Sequence, residues 1–312
     1  MKDQNISRRR FIGTTALAAA GVALASKSVF AAGSLFQAKP NSVINGVQIG
    51  VITYSFRSMP GSAEQLLQYC LQCNISAIEL MGEAAEAFAG IPKRASGEDN
   101  PTHFKKVADW RAGASMDKFK ELRKLFNDAG ITIYAWKPNA LGEKNTDAEI
   151  DYAFNAGKAL GVTHVTVELP TNDEQTKRLG DFGTKHKLYV GYHAHTQATP
   201  TLWDTALSQS KYNAINLDIG HYTAGTSSSP VPFILKNHAR IMSMHLKDRK
   251  YHDGPNMPWG QGDTPIAEVL QLIKKNKYKF PATIEQEYTI PADSDAIKEV
   301  IKCREFAAKA LS

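Results

Sequence analysis

The 312-residue sequence is poor in cysteine, and the places where its three thiols fall exclude several readings. Cys70 and Cys73 form CLQC inside a run of helical periodicity, and Cys303 stands alone. A single CxxC without a second pair does not build a zinc site. The thiols read as buried side chains, with an adventitious disulfide in an oxidising compartment as the alternative. No cysteine lies near Ala31, where a bacterial lipid anchor would need one. The sequence also lacks a long hydrophobic run. Its most apolar stretch, Phe11 to Ala25, is too short and too weakly apolar to be a stable membrane span. No glycine-rich phosphate turn follows the first β-like run, where ITYSFRSMPG stands instead. A basic excess is largely absent as well. The formal charge is +6, but Lys2, Arg8, Arg9, Arg10 and Lys27, against Asp3, supply most of it, and a chain cut near Ala31 would keep about +2. That balance gives no footprint for nucleic acid.

The N-terminal segment has the order of an export signal. A polar, basic start ending in SRRRF is followed by GTTALAAAGVALA and then by the small residues of SKSVFAAG. The arginines directly before the apolar run resemble those of a twin-arginine signal; an ordinary secretory signal is the alternative. Residues 1–35 are therefore expected to be signal and linker, handled by the twin-arginine translocase, with the remainder periplasmic or secreted and not stably inserted in a membrane. Twin-arginine export carries folded proteins, often ones loaded with a metal beforehand, so the address itself hints at a cofactor.

From residue 45 to 312, β-rich runs alternate with amphipathic ones. The β-like runs are 47–56, 76–81, 131–137, 163–170, 188–195, 213–221, 240–248 and 282–288. Helix candidates include SAEQLLQYCLQC behind a serine cap, MDKFKELRKLFNDAG ending on a glycine, TDAEIDYAFNAGKALG, IAEVLQLIKKNKY and DSDAIKEVIKCREFAAKAL. Eight such units over roughly 265 residues predict a single (β/α)₈ TIM barrel, for which about 250 residues is usual. Residues 82–115 form an insertion after the second run, expected as a long polar loop that is either a lid or substrate wall at the C-terminal face or mere decoration.

The ends of the β-like runs carry unusual residues. They read Glu79; Trp136 and Lys137; Glu168; His193 and His195; Asp218 with His221 beyond it; His245, Lys247 and Asp248; Glu285 and Glu287. A barrel places all these ends around one mouth. Any one such residue is unremarkable at a strand end, but carboxylates gathered together repel unless a cation neutralises them. Glu, Asp, His and Glu around one divalent ion (manganese, magnesium, cobalt or zinc) would resolve the repulsion. In GYHAHT, His193 and His195 share one strand face and point at the same mouth.

AINLDIGH, SMHLKD and TIEQEY, with VELP upstream and WGQGDTPI after the seventh run, resemble the sugar phosphate isomerase/epimerase group of xylose-isomerase-like TIM barrels over about residues 45–310. The resemblance implies one metal held by Glu168, Asp218, His245 and Glu285, with Glu287 as the alternative to Glu285. It also implies that Glu168 and Glu285 carry protons, and that His193, His195 and His221 touch substrate hydroxyls. Lys247, Glu287, Trp136 and Lys137 complete the expected substrate site. Lys137, Lys247 and Arg249 are the candidates for holding a phosphate, with a structural pair of Lys247 and Asp248 as the alternative.

The implied activity is that of a metal-dependent sugar isomerase or epimerase. A proton next to a carbonyl is removed, an enediolate forms on the metal, and a carboxylate returns the proton. The alternatives are a keto-glycoside lyase or dehydratase using the same site, and a non-catalytic carbohydrate-binding barrel. A repair-type nuclease is disfavoured, because the second and third runs end in Glu79 and Trp136–Lys137 rather than in histidines. The expected partner is a small carbohydrate; a homo-oligomer is left open.

Overall fold

The computed structural model describes residues 39–312, and the expected export signal at 1–35 lies outside them. Eight parallel strands close on themselves: β1 (Val47–Ile52), β2 (Ala77–Met81), β3 (Thr132–Lys137), β4 (His164–Glu168), β5 (Tyr189–His193), β6 (Asn213–Asp218), β7 (Ile241–Leu246) and β8 (Ala282–Ile284). Each pairs with its neighbours in sequence, and β1 pairs with both β8 and β2. This is the predicted TIM barrel. Among the described residues no helix is long and apolar enough to cross a membrane.

Helices fill the connections: α1 (Ala63–Gln72), α2 (Gly82–Ala89), α3 (Asn100–Gly113), α4 (Asp117–Asp128), α5 (Asp147–Leu160), α6 (Asp173–His186), α7 (Asp204–Gln209), α8 (Ile219–Thr226), α9 (Val231–Asn237), α10 (Ile266–Asn276) and α11 (Ala296–Leu311). Their ends follow the capping signals in the sequence. Ser62 with Gln65, and Thr146 with Glu149, form reciprocal capping boxes at α1 and α5. Gly161 takes the left-handed conformation that ends α5. The insertion at 82–115 is not a loop: α2 and α3 occupy most of it.

The strands alternate as period two demands. Outward residues such as Ile78, Leu80, Val165, Val190, Ile215, Leu217, Met244 and Leu246 belong to the large core shared with the helices. The inward ones are polar. Tyr134 and Thr283 share a hydrogen bond inside the barrel, as do His164 and Ser243. Glu79 Oε1 accepts from Thr166, and both its oxygens from Asn216. Barrels usually fill this space with branched aliphatic side chains; here a polar stack leads up to the mouth. Gly191 permits it, because a Cβ there would stand 3.1 Å from the His164 ring and 3.3 Å from Thr166.

Candidate metal and substrate site

His245 is the hub. Its Nε2 donates to Glu79 Oε2 at 2.8 Å and its Nδ1 to Glu285 Oε2 at 2.9 Å. Burial alone would disfavour its charge, but Glu285 and Glu79, one on each nitrogen, push its pKa up to about 10. Burial likewise opposes ionisation of Glu285, yet Lys247 and His245 hold that carboxyl well below the usual range. Glu79 lies one layer deeper and is fully buried. It fixes the imidazole from below while Thr166 and Asn216 fix it in turn.

Lys247 is the second hub. Its ammonium is buried and lies 3.0 Å from Asp218 Oδ2, 3.1 Å from Glu285 Oε2 and 2.6 Å from Glu287 Oε2. Asp218 ends β6 and caps α8, its Oδ1 accepting from the His221 backbone N–H at 2.7 Å. The DxxH spacing is therefore a strand end, a cap and the first turn of a helix. Burial raises the Asp218 pKa even though Lys247 stands beside it. Gly220 lets this turn sit against β7, since a Cβ would meet the Lys247 backbone oxygen at 2.5 Å. Lys247 Nζ lies 2.9 Å from His221 Nε2, and Arg249 Nη1 lies 2.8 Å from His221 Nδ1. Burial and Lys247 push its pKa down to about 2, so the ring is neutral. A neutral imidazole has one acceptor nitrogen, so only one of the two cations can donate to it.

The histidines of GYHAHT do face the mouth. His193 is buried; its ring centroid lies 5.0 Å from that of His245 and 5.1 Å from that of His195. Burial, then His245 and Lys137, lower its pKa well below the ordinary value. His195 is more exposed and lies 4.6 Å from His221, ring to ring. Glu168 stands at the rim, half-exposed, with Lys137 Nζ at 2.6 Å and His195 Nε2 at 3.5 Å. Its register partner on β5 is His193.

Two expectations change. Trp136 does not reach the substrate side. It is fully buried and packs on Phe119 of α4 and Tyr152 of α5, because alternation turns it outward when Lys137 turns in. Asp248 does not pair with Lys247. It accepts from the backbone N–H groups of Gly260, Gly262 and Thr264 and so shapes the WGQGDT turn. Glu79 and Arg249 enter the site without having been given a role in it. Glu79 showed itself only as a polar strand end, and Arg249 only as a phosphate candidate.

The residues present fit a divalent cation. Donor atoms of His193, Asp218 and His245 lie within 4.8 Å of one another, as do those of His193, His195 and His221. Among the described residues, His193 Nδ1 is buried without a hydrogen-bond partner, and Asp218 Oδ2 has only the ammonium of Lys247, which Glu285 and Glu287 share. Five carboxylates among the described residues (Glu79, Glu168, Asp218, Glu285 and Glu287) are paired with Lys137, Lys247 and a protonated His245, with the His195 ring 3.5 Å from Glu168. Buried polar atoms left unpaired beside excess negative charge are what a bound cation satisfies.

The profile of the xylose isomerase-like TIM barrel family matches residues 99–305. The chain belongs to this family. No curated protein matches its sequence. Solved structures share the fold at low identity. The probable 3-DHS dehydratase AsbF of Bacillus anthracis, involved in petrobactin synthesis, superposes with a TM-score of 0.61 at 13% identity, over 84% of this chain and 99% of that one. A sugar phosphate isomerase/epimerase from Parabacteroides distasonis gives 0.57 at 17% identity, over 86% and 96%. A family member from Mycobacterium smegmatis, solved in complex with magnesium, gives 0.55 at 13%, over 85% and 96%.

Proposed function

We propose that this protein is a divalent-metal-dependent sugar isomerase or epimerase. The carrying observation is the donor group of His193, Asp218 and His245, with Glu285 against His245, at the foot of a polar mouth; a cation bound there would take the place of the proton on His245 Nδ1. Glu168, expected among the metal donors, is better placed at the rim for proton transfer, and His193 takes the position beside Asp218 and His245. Two imidazoles among the donors shift preference from magnesium toward manganese, cobalt or zinc. A cation held there would polarise a substrate carbonyl as a Lewis acid.

The chain's own groups do the rest. Glu168, oriented by Lys137, takes the proton from the carbon beside the carbonyl. His195 and His221 hold neighbouring hydroxyls. Glu285 and Lys247 face the sugar from β7 and β8, on the far side of the barrel from β4. A proton returned to the opposite face gives an epimer, and one returned to the next carbon gives an isomer. Loss of a β-oxygen instead gives dehydration or glycoside elimination. That second reading draws support from the dehydratase of like fold. The export signal read from residues 1–35 would place the work outside the cytoplasm, on an unphosphorylated sugar.

The test is metal analysis of the purified protein, then incubation with sugars and keto-glycosides in D₂O. Deuterium should enter a carbon beside the carbonyl, only with metal present. Metal-free protein that binds sugars and exchanges nothing would leave the non-catalytic carbohydrate-binding barrel.

A further inference from the structure

A cavity of about 830 Å³ opens beside the barrel mouth, between α3 of the insertion and the segment joining β3 to α5. A smaller one of about 390 Å³ is lined by Lys137 and Glu168. Asn139 and Asn145 line both, so the two adjoin. The larger lies in the range, about 300–1,000 Å³, of sites that enclose whole small molecules. A single sugar at Glu168 would leave it unused.

We propose that the larger cavity is a second substrate subsite, and that the substrate is a glycoside whose aglycone is an aromatic acid. This rests on the sugar site read above and names its substrate class. One wall is apolar: Phe104 on α3 is 62% exposed, and Ile91, Pro92 and Val107 flank it. A large aromatic ring left open in a cavity is a stacking platform. The charge there is positive on balance, with Lys93, Arg94, Lys105, Arg111 and Lys144 against Glu83, Glu86 and Glu149. Glu86 and Glu149 share Arg111, while Glu83 accepts from the neutral amide of Asn139 and keeps its charge. Lys93, Arg94 and Lys144 are exposed and have no ion-pair partner among the described residues. The Arg94 guanidinium lies 6.0 Å from the Phe104 ring centroid, so charge and platform are adjacent. An aromatic ring with a carboxylate complements both; a neutral second sugar would use only the platform.

The floor is rigid. Arg111 joins α3 to α2 and α5 through two buried carboxylates, so the wall is held in place before anything binds. The insertion, open in sequence between a lid or substrate wall and decoration, is in this proposal a fixed wall.

Titration calorimetry on the full, metal-loaded chain tests this. The probes are 4-carboxyphenyl β-glucoside, phenyl β-glucoside, methyl β-glucoside, cellobiose and 4-hydroxybenzoate. The carboxyphenyl glucoside should bind most tightly, and 4-hydroxybenzoate should compete with it. Phe104→Ala should weaken both aryl glucosides by about three- to tenfold and leave the methyl glucoside unchanged. A Lys93→Ala, Lys144→Ala double variant should erase the preference for the carboxylate, and salt should erode it in the wild type. All three positions are exposed, so thermal unfolding should match the wild type. No binding of the aryl probes, equal binding by Phe104→Ala, or cellobiose binding as tightly as the carboxyphenyl glucoside would each overturn the proposal. The outcomes separate the two claims. Aryl binding with this pattern but no deuterium exchange sinks the catalytic reading alone. Exchange with free sugars but no aryl preference sinks the subsite alone.

Discussion

Arg111 and His245 each sit between two glutamates in the same molecule, one outside the barrel and one inside it. Around Arg111 every carboxylate oxygen has a donor. Glu86 takes Nε and Nη2 of Arg111 and the Tyr152 hydroxyl; Glu149 takes Nη1, Asn145 and the Thr146 backbone N–H. Around His245 the count does not close. Glu79 and Glu285 are engaged, but His193 Nδ1 beside them has no hydrogen-bond partner among the described residues, and Asp218 Oδ2 has only the Lys247 ammonium, already shared with Glu285 and Glu287. Both clusters are buried and charged, so burial and charge do not tell a site from a strut. Completeness does: a closed network holds helices together, and an open one is shaped for something that binds.

The largest effect should come from the open cluster. Glu168→Gln keeps the shape and the contact to Lys137 but cannot take a proton. Deuterium exchange should fall by about 10²–10⁴, with metal content unchanged. Near-wild-type exchange in that variant would move the base elsewhere, His195 first. The closed cluster should answer differently. Arg111→Met strands two buried carboxylates and should cost about 3–5 kcal/mol in denaturant unfolding. Metal affinity measured below the unfolding transition should hardly change. A large loss of metal binding there would mean that the two clusters are one.

The open cluster was the more legible of the two in the sequence. Inward polar residues at every second position, from His164, Thr166 and Glu168 to Ser243, His245 and Lys247, print the barrel interior directly on the chain. Glu79 was visible as a strand end, but its partners Thr166, Asn216 and His245 are 87, 137 and 166 residues away, so its role waited for the fold. The closed cluster left no pattern. Arg111 and Val107 are the buried residues of α3, too few to mark an apolar stripe, and the segment read as loop. Helix α6 was missed for a related reason. Gly180 and Gly183 weaken the helical signal yet are needed there: a Cβ on Gly180 would meet Asn213 Oδ1 at 2.9 Å, and one on Gly183 the Leu188 backbone oxygen at 3.0 Å.

A smaller effect should appear where the open cluster leans on the barrel. Glu79→Gln preserves the acceptor for Thr166 and Asn216, but its new amide would donate toward His245 Nε2. The imidazole proton is then driven to Nδ1, the nitrogen facing Glu285, and the ring loses the tautomer that can ligate from that side. Metal affinity should fall about 10- to 100-fold in a competition titration with a chelator. An unchanged affinity would make Glu79 a support for the fold alone.

The smallest effect belongs to the closed cluster and depends on pH. Thr146 caps α5 by accepting from the Glu149 N–H at 3.3 Å, while its own N–H donates to Glu149 Oε2 at 2.9 Å. Thr146→Ala should cost about 1 kcal/mol at neutral pH. Burial pushes the Glu149 carboxyl up, but the Thr146 N–H and Arg111 together hold it below its ordinary value. A carboxyl depressed in the folded state stabilises fully above its unfolded value, about 4.3, and that share is lost as pH falls through the folded one. Glu149→Gln removes the titration. Its penalty relative to wild type, measured by urea unfolding, should therefore be greatest near pH 6 and shrink toward pH 3. A penalty constant over that range would show that the carboxylate charge contributes nothing, and that the cap and the packing of α5 carry the whole effect.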